Sequence, residues 1–164
     1  MTMDLAIHNG YLPGCIGRVT ELHAIYYSRH AGFGIHFESK VARELAAFGE
    51  AFEEGRDGLW LAVDQGKVEG AIAIDGAHAA AEGAHLRWFI VSDELRGTGF
   101  GHRLLACATD FCRSRNYGSV YLWTFEGLGA ARHLYETYGF RMVQQQRGTQ
   151  WGHEVNEQRF ELRL

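Results

Sequence analysis

Apolar positions recur at helical spacing in two stretches of the first third of the chain. The first stretch predicts a helix over residues 16–30, which ends at Gly32. The second predicts a helix over residues 39–54, with Ser39 as its N-cap, because apolar side chains repeat there every three or four positions. A short apolar run before them, residues 3–8, is interpreted as a strand.

Beyond residue 58 the pattern changes to short apolar runs separated by glycine-rich turns. Residues 59–63 and 68–74 flank a turn and predict a hairpin, and residues 85–91 are rich in aromatic and β-branched side chains, which favours a central strand. The remaining elements are predicted as a helix at 101–116, a strand at 120–124, a helix at 128–138 and strands at 140–145 and 158–162. This order predicts an α/β fold, with helices flanking a mixed, largely antiparallel central sheet, in a single domain over residues 1–164.

Composition restricts the class of protein and of partner. The chain has 164 residues, 46% of them hydrophobic and 22% charged, which is typical of a globular domain. Sixteen Lys and Arg against twenty Asp and Glu give a net charge of −4. A broad nucleic-acid-binding surface is therefore not expected, although a local basic pocket for one phosphorylated small molecule is compatible with this charge.

Location and metal binding are constrained by what the sequence lacks. No apolar run approaches the ~20 residues of a membrane span, and the first ten residues carry no signal sequence, so we expect a cytoplasmic protein without a membrane partner. The three cysteines do not form a disulfide framework, and burial of Cys107 or Cys112 is favoured over a covalent acyl carrier. The histidines include no His-Glu-x-x-His pair and there is no Cys-x-x-Cys, so no metal site is expected.

A glycine-rich turn carries the strongest signal for chemistry. Residues 96–101 read R-G-T-G-F-G, between a predicted strand and a predicted helix. Its three glycines leave backbone N–H groups unobstructed at the positive end of a helix, which suits a phosphate or pyrophosphate. The alternative is a turn whose glycines meet steric needs alone. The turn lacks the Gly-Lys-Ser/Thr ending of a nucleotide-triphosphate loop and the Gly-x-Gly-x-x-Gly spacing of a dinucleotide fold.

Two motifs resemble the GNAT N-acetyltransferase superfamily. The run V-S-D-E-L-R-G-T-G-F-G-H-R-L-L resembles its coenzyme-binding segment, whose pattern Gln/Arg-x-x-Gly-x-Gly/Ala is met by Arg96, Gly99 and Gly101. The run A-R-H-L-Y-E-T-Y-G-F, residues 131–140, resembles the family's late helix and its Leu-Tyr-Glu-x-x-Gly-Phe ending. The resemblance extends over about residues 4–164, and the chain is also similar to acetyltransferase domains found fused to winged-helix regulators.

The resemblance implies a site for acetyl-CoA as cosubstrate. Its pyrophosphate would be held by the backbone N–H groups of Gly97, Thr98, Gly99, Phe100, Gly101 and His102. Arg96 and Arg103 would add positive charge there or point into solvent. A splay between the central strand and residues 120–124 would form the slot, and the sequence Gly127-Leu128-Gly129 stands where the family often carries an asparagine that contacts the coenzyme. The pantetheine amides would pair with the backbone of Phe89, Ile90 and Val91, where an N–H group would also meet the oxyanion.

Catalytic roles follow from the same resemblance. Tyr135 occupies the position at which the family often places the acid that protonates the departing thiolate, and a phenol is protonated at neutral pH. The alternatives are a packing role for Tyr135 or Tyr138 as the acid. His85 is a candidate base or water-relay partner, with a structural histidine as the alternative. Glu82 and Glu126 are rival bases, and proton transfer through water without a dedicated base is a further alternative.

Side chains near the acceptor are expected from the central strand and from the first helix. On an alternating strand, one face carries His85, Arg87 and Phe89, and the other carries Leu86, Trp88 and Ile90. Aromatic and histidine side chains either face the acceptor, as in the resembled family, or belong to the core: Tyr26, Tyr27, His30, Phe33, His36, Trp123 and Phe125.

The resulting hypothesis is an enzyme that transfers an acetyl group from acetyl-CoA to a primary amine of a small molecule or peptide. The amine would attack directly in a ternary complex, without an acyl-enzyme. The alternative is a non-catalytic domain that binds acyl-CoA and reports it to a partner. The closing strands are compatible with a homodimer.

Overall fold

The computed structural model describes residues 5–164, along which seven strands and five α-helices form. In chain order these are β1 (Leu5–Asn9), α1 (Cys15–Ala31), α2 (Ile35–Glu50), β2 (Gly58–Asp64), β3 (Lys67–Asp75), α3 (Ala79–Glu82), β4 (Ala84–Val91), α4 (Phe100–Ser114), β5 (Ser119–Phe125), α5 (Gly129–Thr137), β6 (Arg141–Gly148) and β7 (Val155–Arg163). The predicted first strand is present as β1, although Met3 and Asp4 lie outside the described residues. Within 5–164, no helix combines the length and apolarity needed to span a membrane.

The strands form one sheet in the order β1-β2-β3-β4-β5-β7-β6. Neighbouring strands are antiparallel except β4 and β5, which are parallel. The mixed, largely antiparallel sheet predicted from the sequence is therefore confirmed. The predicted hairpin is β2–β3, and its turn residues Gln65 and Gly66 have φ values of 49° and 78°. Positive φ at both turn positions matches the twist of the paired strands.

Helices cover both faces of the sheet. On one face, the predicted apolar stripe of α4 buries Leu104, Leu105 and Ala108, each 0% exposed, against the central strands. On the other face, α1 and α2 bury Val19 and Leu45. Spacings of three and four residues place these side chains on one side of each helix, so the helices pack as the sequence predicts. We refer to the two sides as the α4 face and the α1–α2 face.

Helix α2 begins earlier than predicted. Its first residue is Ile35 and its N-cap position is Gly34, whereas Ser39 lies inside the helix, so the prediction of Ser39 as N-cap is wrong. Ile35 is 85% exposed, but Phe37 in the same turn is 4% exposed and lies four residues before Val41. The buried stripe therefore extends into the first turn, and the preference for a serine N-cap ended the predicted helix short of it. The early start places Lys40 and Glu44 in the middle of α2, one turn apart.

A β-bulge interrupts β4 and reverses its alternation. Arg87 pairs with Ala73 and Ile90 pairs with Ala71, so Trp88 and Phe89 together oppose a single residue of β3. Trp88 has a φ of 49°. As a result, Phe89 packs on the α4 face, while Trp88 packs on the α1–α2 face beside Ile90.

The alternation predicted for this strand is therefore wrong beyond Arg87. Before the bulge, Leu86 belongs to the α4 face, and Arg87 points to α2, where it forms an ion pair with Glu44. The extra residue changes the face of the sheet on which each later side chain lies. A prediction based on strict alternation of faces does not include such an inserted residue.

Strands β4 and β5 separate soon after they meet. Their described pairing comprises Ala84 with Val120 and His85 with Tyr121, both at the beginning of each strand. Beyond these pairs, the edge of β4 that faces β5 has no strand partner within residues 5–164. The predicted splay is present, and it leaves a gap between β4 and β5.

Candidate active site

The splay opens a groove of about 610 Å³ between β4, the glycine-rich loop and α5. We call it the β4–β5 groove. Its walls include Phe89, Ile90 and Val91 from β4 and Gly97, Gly99, Gly101 and His102 from the loop. The segment Gly127-Leu128-Gly129 and the first turns of α5 form its other side.

The glycine-rich loop contributes main chain to the lining of the groove. Gly97 and Gly99 have φ values of 76° and 84°, which side chains with a Cβ rarely adopt. Gly99 is the N-cap of α4, and the first turn of that helix contains no acidic residue. The positive end of α4 therefore faces the groove without a competing carboxylate.

Five of the six N–H groups predicted to hold a pyrophosphate are free of protein acceptors. Among the described residues, none accepts a hydrogen bond from the N–H of Gly97, Gly99, Phe100, Gly101 or His102. Thr98 differs, because its N–H donates to the Leu95 carbonyl at 3.2 Å. The prediction that the Thr98 N–H is unobstructed is therefore wrong, since the turn itself uses that group.

The two arginines near the loop have different positions. Arg96 lines the groove, lies 3.2 Å from the Asp93 carboxylate and places its guanidinium 4.8 Å from the centre of the Tyr26 ring. Arg103 folds over Phe100 at 4.4 Å and does not line the groove. Arg96 is therefore the side chain placed to add positive charge to the loop.

The residues present fit a coenzyme A thioester. Free N–H groups at a helix N-terminus suit its diphosphate. The unpaired edge of β4 offers N–H and C=O groups to the amides of an extended chain, as one strand does to another. The bulge leaves Trp88 and Phe89 outside the regular residue pairing of β3 and β4, beside the part of the groove that Phe89 lines.

Tyr135 stands where the groove meets a second cavity. It projects from α5, is 7% exposed and lines both spaces. Burial raises the pKa of its phenol, with a smaller contribution from Tyr27. Within residues 5–164, the Tyr135 hydroxyl has no hydrogen-bond partner. A phenol in this state is a proton donor that does not ionise at neutral pH.

Tyr138 differs from Tyr135, whereas Tyr27 resembles it. The Tyr138 hydroxyl donates to the His102 carbonyl at 2.8 Å, and its side chain lines neither space. Tyr27, from α1, lines both spaces as Tyr135 does, and burial raises its pKa as well. Tyr27 is therefore the second phenol at the junction. In the sequence, it belongs to a group of aromatic residues that could equally have been core.

The second cavity, of about 300 Å³, lies on the α1–α2 face, and we call it the α2 cavity. Its charged lining consists of Lys40, Glu44 and Arg87. Lys40 Nζ donates to Glu44 Oε1 at 2.6 Å, and Arg87 donates to Glu44 Oε2. The sequence interpretation did not select Lys40 or Glu44, since one Lys and one Glu four apart are ordinary on a helix.

His85 lines the α2 cavity and is electrically neutral. Its ring stacks on Tyr121 with 4.4 Å between centroids. Burial lowers its pKa to about 3, with further lowering by Arg87, Arg159 and Lys40. A neutral imidazole can accept a proton, but the low pKa makes it a weak base rather than one tuned to neutral pH.

The rival carboxylates lie away from the junction. Glu82 is exposed on the short helix α3, and Glu126 is exposed and accepts a hydrogen bond from Asn156 Nδ2 at 3.0 Å. Neither lines the groove or the α2 cavity. Glu44 is the carboxylate that lines the cavity.

The aromatic residues selected from the sequence divide between sites and core. Tyr27, Trp123 and Phe125 line the α2 cavity, whereas Tyr26 lines the β4–β5 groove and stacks on His30 at 4.3 Å. Phe33 is core at 3% exposure, and His36 lies against Gly152. The predicted burial of one helix cysteine is confirmed by Cys112, which is 0% exposed. In the described part of the chain, no cluster of three or more metal-ligating side chains occurs.

Comparisons with known proteins identify a family and two curated relatives. Residues 19–140 match the family model described as the acetyltransferase (GNAT) family. The chain is 36% identical over 85 residues to an N-acetylaspartate synthetase of Danio rerio, covering 52% of this chain and 30% of that protein. It is 29% identical over 119 residues to an N-acetylaspartate synthetase of Xenopus tropicalis, covering 72% and 43%. The chain thus spans less than half the length of these curated relatives.

Solved structures agree with the sequence match. The fold is similar to that of yncA from Salmonella typhimurium, whose structure contains its cofactor acetyl-CoA, with a TM-score of 0.76 and 18% identity over 98% of this chain and 94% of that one. The GNAT fold predicted from the motifs is confirmed. Because the matched residues 19–140 include the glycine-rich loop, the splayed strands and Tyr135, the chain belongs to the acetyltransferase (GNAT) family.

Proposed function

We propose that the protein transfers the acetyl group of acetyl-CoA to a primary amine by direct attack. The observation that carries the proposal is the position of Tyr135, a buried phenol between an anion-binding groove and a separate cavity with a polar lining. This arrangement lets two substrates approach one proton donor from opposite sides. Acetyl-CoA, when bound, supplies an acetyl group activated as a thioester.

The groove residues bind and orient the thioester. The five free N–H groups of the loop, which exclude that of Thr98, hold the diphosphate, and the unpaired edge of β4 aligns the chain that leads to the sulfur. N–H groups at the bulge, near Trp88 and Phe89, donate to the carbonyl oxygen as it gains negative charge. Such donors are fixed by the fold and need no reorganisation during the reaction.

Proton transfers divide between the two ends of the site. Tyr135 donates to the departing sulfur, for which its raised pKa keeps the phenol protonated. The amine loses its proton to water in the α2 cavity, which His85 orients as a neutral acceptor. We assign no dedicated base, because the pKa of His85 is about 3 and neither Glu82 nor Glu126 lines the groove or the α2 cavity.

The relatives support an amine as the nucleophile. The curated proteins that match are named for N-acetylaspartate, an acetylated amine. Direct transfer, without an acyl-enzyme, agrees with linings that contain no cysteine, as far as residues 5–164 are concerned. Cys112 is buried under α4, with burial raising its pKa to about 12.

The test measures CoA release and the acetylated product together. The protein is incubated with acetyl-CoA and a panel of amines, free thiol is followed by absorbance and products are identified by mass spectrometry. We expect amine-dependent CoA release with one acetyl group added per thiol. Titration calorimetry that detects no acetyl-CoA binding would refute the proposal. Binding without turnover across the panel would instead favour the non-catalytic acyl-CoA sensor.

A further inference from the structure

The α2 cavity contains a charged cluster that the proposed proton transfers do not use. Lys40 and Glu44 come from α2, and Arg87 reaches them from β4. Their side chains are 21%, 32% and 22% exposed, so all three are largely removed from bulk water while lining the cavity. Charges in such positions are screened less than surface charges.

The cluster has hydrogen-bond donors to spare and few free acceptors. Both oxygens of Glu44 already accept, one from Lys40 and one from Arg87. An ammonium has three N–H donors and a guanidinium five, so most donors of Lys40 and Arg87 remain for a ligand. With two cations and one carboxylate, the cluster carries a formal charge of +1.

The charges around the cluster leave its own positive charge uncompensated. Arg159 lies over the Tyr121 ring at 4.0 Å and is already paired with Glu161 at 2.9 Å, so this pair adds little net charge. Asp75 pairs with His85 across the sheet but does not line the cavity, and its Oδ1 accepts from the Ala77 N–H at 3.0 Å. The charge that lines the cavity is therefore that of the cluster, which favours an anion.

The rest of the cavity restricts the size and character of its ligand. Aromatic side chains form much of the remaining lining, among them Tyr27, Phe37 and Phe125. The volume of about 300 Å³ holds a small molecule rather than a folded partner. Because Lys40, Arg87 and Tyr135 line the same cavity, one small ligand can present one end to the two cations and the other to Tyr135.

We infer that the acceptor is a small amino acid-like molecule, whose carboxylate is bound by Lys40 and Arg87 while its amine faces Tyr135. This inference rests on the proposed function and assigns specificity to two residues outside the coenzyme groove. Arg87 is suited to a planar carboxylate, and Lys40 adds a second charge-assisted hydrogen bond. Glu44 positions both cations and limits their mutual repulsion.

The experiment compares each L-amino acid with its own amide as acceptor. The two share the amine and the side chain and differ by one negative charge. The amide has the less basic amine, so intrinsic reactivity favours the amide and any preference for the acid originates in the protein. We expect kcat/KM for the best amino acid to exceed that for its amide by about tenfold or more. Spermidine serves as a cationic amine without a carboxylate.

Variants of Arg87 and Lys40 test whether these residues cause the preference for the acid over its amide. Arg87→Gln and Lys40→Gln are each expected to raise KM for the acid about tenfold, with little change in kcat or in turnover of the amide. Arg113→Gln is the matched control, because Arg113 is an exposed cation paired with Asp110 and lines neither space. Acetyl-CoA affinity and thermal unfolding are measured for every variant. Lys40→Gln keeps the test decisive if Arg87→Gln folds poorly.

The outcomes separate this inference from the proposed function. Acetylation of spermidine or of amino acid amides in preference to every free amino acid would overturn the inference and leave the acetyltransferase proposal standing. The same holds if Arg87→Gln and Lys40→Gln reduce turnover of acid and amide equally. Failure to acetylate any amine would contradict the proposed function itself.

Discussion

The two spaces that meet at Tyr135 are constructed from different parts of the polypeptide. The β4–β5 groove is formed largely by main chain: five free N–H groups, two glycines at positive φ and an unpaired strand edge. The α2 cavity is formed by side chains from α1, α2, β4 and β5 and from the segment before β7. Main-chain sites tolerate exchange of side chains and are sensitive to backbone geometry, whereas side-chain sites behave in the opposite way.

The largest expected effect is at the junction, where the two spaces depend on one hydroxyl. Tyr135→Phe should reduce kcat by about 10²–10⁴-fold, because the departing sulfur loses its proton donor. Acetyl-CoA affinity should stay within about twofold, since the groove N–H groups are unchanged. Steady-state kinetics and calorimetry measure the two quantities. Tyr138→Phe is the control, and an equal loss of kcat there would contradict the assignment.

A change of backbone geometry should damage the groove more than any exchange of loop side chains. Gly99→Ala places a Cβ on a residue with φ 84°, at a strain of about 1–3 kcal/mol. We expect the dissociation constant for acetyl-CoA to rise about 5- to 150-fold, measured by calorimetry. Gly118→Ala is the control, because Gly118 has no positive φ and open space for a Cβ. Unchanged affinity in Gly99→Ala would argue against a main-chain site.

Acid should destabilise the α2 cavity side through His23. This histidine is buried in α1, its Nδ1 lies 2.8 Å from the Val19 carbonyl, and burial lowers its pKa from 6.5 to about 4. Between pH 6.5 and 4 the unfolded chain takes up a proton at this position and the folded chain does not, so stability falls as pH falls.

The expected loss from His23 is about 2 kcal/mol between pH 6.5 and pH 5. It is measured as the difference in free energy of unfolding by urea at these two pH values. His23→Gln, which cannot titrate, should lose about 2 kcal/mol less over the same interval. Parallel pH dependences in the wild type and the variant would show that His23 is not buried in its neutral form.

The smallest effect is expected for side chains of the glycine-rich loop. Arg96→Gln removes a half-exposed cation that is already paired with Asp93, so acetyl-CoA affinity should fall only about two- to fivefold, and less at high salt. Calorimetry at two ionic strengths measures the loss of acetyl-CoA affinity and its dependence on salt. A loss as large as that of Gly99→Ala would mean that side-chain charge, and not the main chain, dominates this groove.

The same contrast explains what could be predicted from the sequence. The glycine-rich loop, the strand before it and Tyr135 are local patterns, because glycine conformation and helix start are encoded by adjacent residues. The α2 cavity depends on Lys40, Glu44 and Arg87, which are brought together by the packing of α2 on β4 and have no common motif. The start of α2 was missed because Ser39 satisfies the usual N-cap preference, although Phe37 continues the apolar pattern before it. The phase of β4 was missed because an inserted residue leaves no signal in periodicity.

The bulge at Trp88 and Phe89 determines which layer of the molecule each later side chain of β4 faces. Residues on either side of it are one step out of phase, so Arg87 and Phe89 face opposite layers although they are two positions apart. No point substitution can undo that offset. Deleting Trp88 would restore regular alternation and leave Phe89 and Val91 on the α4 face, so it would remove the bulge without moving either side chain to the other layer. The bulge is therefore inherited as a length, and it is gained or lost by insertion or deletion rather than by gradual replacement.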